Sequence, residues 1–107
     1  MPLSVELGTP SAGRVPIILS GELDQSNAGL LRDAVRAALH LRPAVVCVDF
    51  ALVTFMDSSG LASIVAAKRW CNDAGCGLSL DALSHSMLRR FHMSGLTELL
   101  GLPAPPP

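Results

Sequence analysis

Two adjacent hydroxyls behind a carboxylate, in Asp57-Ser58-Ser59-Gly60, are the residues of this chain best placed to do chemistry. The run follows an apolar segment and opens a stretch of helical spacing, so the hydroxyls stand where a strand hands over to a helix, the usual place for sites in α/β folds. The plain structural reading is that one serine is the helix N-cap and Gly60 only a tight fit. A cap needs one side-chain oxygen, however, and two serines are present, which leaves one free to face solvent. Phosphorylation there would add about −1.5 to −2 charges beside first-turn N–H groups that tolerate an anion. The domain would stay folded, while a partner that buries the spot or brings its own acids would be repelled. Asp57 and Asp24 would deepen the negative potential.

Rival chemistries find less support. A serine hydrolase would need an activated nucleophile, and no Gly-x-Ser-x-Gly elbow occurs. Neither a phosphate-binding Gly-x-x-x-x-Gly-Lys-Ser/Thr loop nor a kinase signature is present, so the chain can accept a phosphoryl group without evident means of transferring one. Cys71 and Cys76, followed by His85 and His92, invite a zinc reading, but the histidines are too far apart for a finger and Cys71 lies on the inward stripe of its helix. A buried thiol at a helix end is expected instead, and Cys47, mid-strand, is expected in the core. His40, His85 and His92 fall near helix ends, where solvated or C-terminal dipole roles are expected. Arg89-Arg90 is expected to be a solvated helix face. No metal site, cofactor or catalytic residue is assigned.

The elements that must hold the site follow from patterning. Leu3–Leu7 alternates apolar and polar as a half-exposed strand does, and Val15–Leu19 is a β-branched second strand, so the two read as a hairpin across a turn at 8–13. Pro16 argues for an edge position or the start of its strand. Asp24 and Ser26 are candidate N-caps for a helix whose Leu31, Ala34, Val35, Ala38 and Leu39 share one face. Ala44–Phe50 is nearly all apolar and fits a central strand covered on both faces. The helix opening at Asp57 runs to about Asp73, stops at Gly75, and turns Leu61, Ile64, Val65 and Cys71 inward. Gly77–Asp81 is a fourth strand, and Ser84 caps a short helix through about His92. Residues 96–102 are read as a short helix or a last strand, and the prolines from 103 on as a frayed tail. The fold expected is α/β: a small mixed sheet of four to five strands, helices packed on one face, as one domain over 1–102.

With 107 residues, half of them hydrophobic, the chain can bury one core without staples. Eight Lys/Arg against nine Asp/Glu give a net charge of −1. The basic residues are scattered and aromatics few, so no nucleic-acid surface is expected. The apolar runs are too short for a bilayer and the N-terminus has no signal-peptide pattern, so no membrane contact and a cytoplasmic location with reduced thiols are expected.

Four landmarks occur in order: Ser20-Gly21-Glu22-Leu23-Asp24, Val48-Asp49-Phe50, the run Thr54-Phe55-Met56-Asp57-Ser58-Ser59-Gly60-Leu61, and Leu88-Arg89-Arg90-Phe91-His92-Met93-Ser94-Gly95-Leu96. Together they resemble the STAS domains, and most of all the bacterial anti-sigma factor antagonists. The resemblance spans about Val5 to Leu100, and the Phe-Met-Asp-Ser-Ser-Gly-Leu run is its specific part. It implies a non-enzymatic protein that binds an anti-sigma factor serine kinase and so frees a sigma factor. It implies further that the kinase phosphorylates Ser58, with Ser59 the lesser candidate, that the complex then loosens, and that a PP2C-type phosphatase restores the active form. By the same matching, Asp24, Asp57, Ser58, Ser59, Gly60 and Leu61 form the docking region. The C-terminus departs from the pattern, because Leu99-Leu100-Gly101-Leu102 runs into prolines where members add a strand and a helix. Two other functions are weighed. One is a STAS subunit of a transporter or scaffold assembly that binds its partner constitutively; the other, with least support, is a small hydrolase or thiol enzyme.

Overall fold

The computed structural model describes residues 2–105. Its elements run β1 (Ser4–Leu7), β2 (Arg14–Leu23), α1 (Ala28–Leu39), β3 (Val45–Met56), α2 (Ser58–Asp73), β4 (Gly77–Asp81) and α3 (His85–Met93), the order the patterning predicts. The sheet has four strands in the order β1-β2-β3-β4. β1 is antiparallel to β2, whereas β2, β3 and β4 are mutually parallel, so α1 and α2 are the crossovers. Among the described residues no helix is long and apolar enough to cross a membrane.

β2 lies between β1 and β3, so Pro16 is not on an edge; it is the third residue of an interior strand, at its start. Along β2 the residues Val15, Ile17, Leu19 and Leu23 are buried and alternate with half-buried Pro16, Ile18 and Glu22. The buried set meets α1, whose Leu31, Ala34, Val35 and Ala38 are buried, while Leu39 is only half-buried. The helices thus cover one face of the sheet, and the expectation that β3 is covered on both faces fails. Val46, Val48 and Phe50 point into the helix-side core. Cys47 is buried but stands on the opposite face, beside Pro16, Arg14 and Asp81, and is not part of that core. In α2 the inward stripe is Leu61, Ser63, Ile64, Ala67 and Cys71; Val65, expected there, is half-buried. Across the α1–α2 contact the Arg36 guanidinium lies 4.6 Å over the Trp70 ring, an attraction between cation and ring face.

β3 runs six residues past the Phe50 at which its patterning ends, and two bulges explain why. Opposite Ile18–Ser20 it advances from Asp49 to Leu52, and opposite Gly21–Glu22 from Val53 to Phe55, one extra residue each time. Each extra residue flips the alternation. Burial therefore recurs at Phe50, Val53 and Met56, a spacing of three that belongs to no regular strand, and leaves Leu52 59% and Phe55 48% exposed. β4 accompanies β3 only over Val45–Asp49. Beyond it the Asp49 carboxylate accepts the Ala51 N–H at 2.8 Å, and Arg90 of α3 donates to the Met56 carbonyl. Arg90 is thus an anchor between α3 and the end of β3, not merely part of a solvated face.

Residues 96–102 are neither strand nor helix but a hydrogen-bonded turn, with Leu100 buried beneath it. No regular structure follows over 103–105, and the rest of the proline tail lies outside the described residues.

Candidate functional site

The ladder between β2 and β3 runs to Leu23 opposite Met56, and a backbone bond from the Asp57 N–H to the Leu23 carbonyl at 3.2 Å carries the contact one residue further, to the site. Asp57, in extended conformation, is the N-cap of α2: its Oδ1 accepts the Gly60 N–H at 3.0 Å. Its other oxygen, Oδ2, accepts the Gln25 N–H at 3.2 Å and ties the loop after β2 to the mouth of α2. The cap is therefore the aspartate and not a serine. Ser58 and Ser59 become the first two residues of the helix; Ser58 is exposed and Ser59 half-buried. Among the described residues the Ser58 hydroxyl has no hydrogen-bond partner.

Gly60 explains how close the helix comes. A Cβ there would lie 2.7 Å from Met56 Cγ and 2.8 Å from the Leu23 carbonyl oxygen. Leu61 is buried behind it, a core residue and not a surface one.

Asp24 does not cap α1, and neither does Ser26. The helix starts at Ala28 with Asn27 in the cap position and no side-chain cap bond. Asp24 Oδ1 instead accepts from the Ser26 N–H at 2.9 Å and the Ser26 hydroxyl at 2.6 Å, while Asn27 Oδ1 accepts the Asp24 N–H at 2.9 Å. Asn27 Nδ2 also donates to the Glu22 carbonyl. These bonds build a tight turn that presents the Asp24 carboxylate beside Asp57. Asp24, Gln25, Ser26, Phe55 and Asp57 line an open depression of about 590 Å³.

The predicted residues thus fall into two groups. Asp24, Asp57, Ser58 and Ser59 come together around the mouth of α2, whereas Gly60 and Leu61 set its packing. Gln25 was not singled out from the sequence, Phe55 stood only within the landmark run, and Arg90 was read as a solvated face and not as an anchor. No sequence signal sets Phe55 apart, since Leu52 and Phe55 are as apolar as the buried Val53 and Met56 between which they alternate, and only the bulged register turns them outward. The surface is acidic and apolar, with a free hydroxyl at its rim. It suits docking, and among the described residues no base is hydrogen-bonded to the Ser58 hydroxyl.

The cap carries a measurable share of stability. Asp57→Ala removes the acceptor of two backbone N–H groups and is expected to cost about 1–2 kcal/mol in urea unfolding. Asp57→Asn, which keeps an oxygen at the same place, is expected to recover most of it.

The cysteine–histidine zinc reading is not assembled. Cys71 and Cys76 are buried at the far end of α2, His40 follows α1, and His85 and His92 are exposed on α3, His85 at its N-terminal end and not its C-terminal one.

A family model and several known proteins match this chain. The family described as Mlab, STAS domain matches residues 9–101. The anti-sigma-B factor antagonist of Listeria monocytogenes is 27% identical over 100 residues, which cover 94% of this chain and 88% of that protein. An anti-sigma factor antagonist from Mycobacterium paratuberculosis superposes with a TM-score of 0.82 at 24% identity, covering 94% of this chain and 85% of that one. The anti-sigma factor antagonist SpoIIAA is similar in its unphosphorylated form, with a TM-score of 0.75 at 25% identity, covering 89% of this chain and 84% of that one. The Bacillus cell-fate determinant SpoIIAA in its phosphorylated form gives 0.70 at 26% identity, covering 89% of this chain and 86% of that one. A family match over nearly the whole chain, with the same fold in these relatives, shows that this protein belongs to the STAS domain family.

Proposed function

We propose that this protein is an anti-sigma factor antagonist that docks onto an anti-sigma factor serine kinase through the mouth of α2 and is switched off by phosphorylation of Ser58. The observation that carries this reading is the division of labour at the helix start. Asp57 does the capping, so Ser58 is exposed and free of any structural duty. The names of the similar proteins supply the partner class, and the resemblance in the landmark run supplies the acceptor serine. Asp24, Asp57 and Phe55 frame the surface that the partner covers, with Ser58 and Ser59 at its edge. Release of the kinase from its sigma factor follows from that occupancy, and a PP2C-type phosphatase resets the serine. The role is binding; this chain transfers no group itself.

Physically the switch needs no change of fold. A phosphate on Ser58 sits at a helix N-terminus, where unpaired N–H groups tolerate an anion. Its charge instead bears on the partner, whose contact surface must then meet phosphate, Asp57 and Asp24 together.

The test is phosphorylation itself. Incubated with its cognate kinase and ATP, the protein is expected to gain one phosphate at Ser58, read by mass spectrometry of the peptide, and Ser58→Ala to gain none. Phosphate on Ser59 alone, or none with the correct kinase, would remove this reading. Binding that ignores Ser58→Glu, together with co-purification with a transporter, would turn the assignment to a constitutive subunit.

A further inference from the structure

Helix α2 ends in a way that brings two sulfurs together. The Gly75 N–H donates to the Asn72 carbonyl at 3.1 Å and the Cys76 N–H to the Cys71 carbonyl at 2.8 Å, with Gly75 at φ +69°. This pair of bonds folds the chain back on the last turn and sets the side chain three positions before the cap against the one that follows the glycine. The same pair closes α3, from Gly95 to His92 and from Leu96 to Phe91, and the residues that meet there are apolar, Phe91 and Leu96. In α2 the two that meet are Cys71 and Cys76. The two thiols are near enough for Cys76 to act on the ionisation of Cys71, and the Cys76 thiol donates to the Gly77 carbonyl at 3.2 Å. A disulfide asks for Cα atoms about 4.4–6.8 Å apart, and the bond from the Cys76 N–H to the Cys71 carbonyl at 2.8 Å draws these two backbones together.

We propose that Cys71 and Cys76 are a thiol–disulfide exchange site, closed into an intramolecular disulfide by a small anionic disulfide that enters at Cys76. Access supports that order. Cys71 is fully buried, whereas Cys76 keeps 6% exposure and lines a depression of about 340 Å³ with Leu39, Arg42, Pro43 and Ala74. Arg42 is exposed and puts a cation at the mouth, which suits an anionic reagent. Burial first, and then the neighbouring Cys76, push the Cys71 thiol up to about 12, so Cys71 stays protonated and reacts second.

The exchange balances as two displacements. The Cys76 thiolate attacks the external disulfide, forming a mixed disulfide and releasing one small thiolate. Cys71 then gives up its proton as its sulfur attacks the Cys76 sulfur, and the second small thiolate leaves. The external disulfide takes two electrons and the two thiol protons and departs as two thiols. This chemistry sits at the opposite end of α2 from Ser58 and rests on neither phosphorylation nor docking.

The experiment treats the folded full chain with oxidised glutathione, blocks remaining thiols with iodoacetamide in denaturant, and digests with trypsin. Peptide 70–89 holds both Cys71 and Cys76, and Cys47 falls on a separate peptide. Expected is a 70–89 peptide lighter by two hydrogens and without label, Cys47 fully labelled, and two labels regained after dithiothreitol. With Cys76→Ser, Cys71 is expected to stay fully labelled. Three results would overturn the proposal: both cysteines labelled after oxidant, a mixed disulfide that persists on Cys76, or a closed disulfide that forms in urea but not in the folded protein. The last would mean that the fold holds the sulfurs apart, and it needs no variant to fold.

Discussion

Gly60→Ala is expected to lower the stability of the fold by about 2–3 kcal/mol, a drop of roughly 10 °C in the thermal midpoint. The reason is the direction of the new methyl. Met56 Cγ, 2.7 Å away, can swing aside, but the Leu23 carbonyl oxygen at 2.8 Å is backbone, and it is the acceptor of the Asp57 N–H. Relief of the clash therefore means backing the mouth of α2 off the end of β2, which loosens the bond that positions the site. Gly60→Val is expected to be worse. Gly29→Ala is the control, because a Cβ there meets only the Arg32 guanidinium at 3.6 Å. That change is expected to be neutral or to stabilise by about 0.5 kcal/mol, as alanine does in a helix. Urea unfolding of both variants checks the contrast; equal stabilities would mean that Gly60 is not a contact point.

The second large effect is on binding. Phosphorylation of Ser58 is expected to weaken the complex with the anti-sigma partner by about 10–100-fold, which is roughly 1.4–2.8 kcal/mol. Ser58→Glu, with less charge and fewer acceptor oxygens, is expected to give part of that. The loss should shrink as salt is raised, since the repulsion acts between groups at the rim of an interface. Ser58→Ala separates charge from structure. Because Asp57 carries the cap, this variant is expected to unfold within about 0.5 kcal/mol of the parent and to bind as well. Calorimetric titration of the three forms at two salt concentrations provides the measurement. Identical affinities for phosphorylated and unmodified protein would end the idea of a charge switch.

Much of this was legible beforehand because the local signals agree with the global arrangement. The order of elements, the bounds of β4, the Ser84 cap of α3 and the start of α2 follow from turn residues and periodicity. What escaped was set by pairing between strands. No pattern along 51–56 says strand, since two bulges break the alternation, and their cause is the register against β2. The α1 cap was misplaced for a related reason: Asp24 and Ser26 have capping side chains, but they hydrogen-bond to each other in a turn and the helix waits for Ala28. Pro16 allowed either an edge position or the start of its strand, and the second holds, because neighbours flank β2 on both sides. Arg90 was invisible because its partner, the Met56 carbonyl, is 34 residues away and a main-chain group. At the site itself, the aspartate and two serines were legible as the start of a helix, but which side chain does the capping was not, because all three can cap.

The stretch of β3 beyond Asp49 has a consequence for how these molecules behave in a crowded solution. A sheet margin with vacant main-chain donors and acceptors is a template on which another chain can lay a strand, the first step toward aggregates and fibrils. Here the Asp49 carboxylate occupies the Ala51 N–H shortly past the end of the β4 pairing, the Arg90 guanidinium occupies the Met56 carbonyl, and the two extra residues bend what lies between. Exposed Leu52 and Phe55 would otherwise make this segment sticky, so the devices that bend and plug it also protect the protein against self-templated growth.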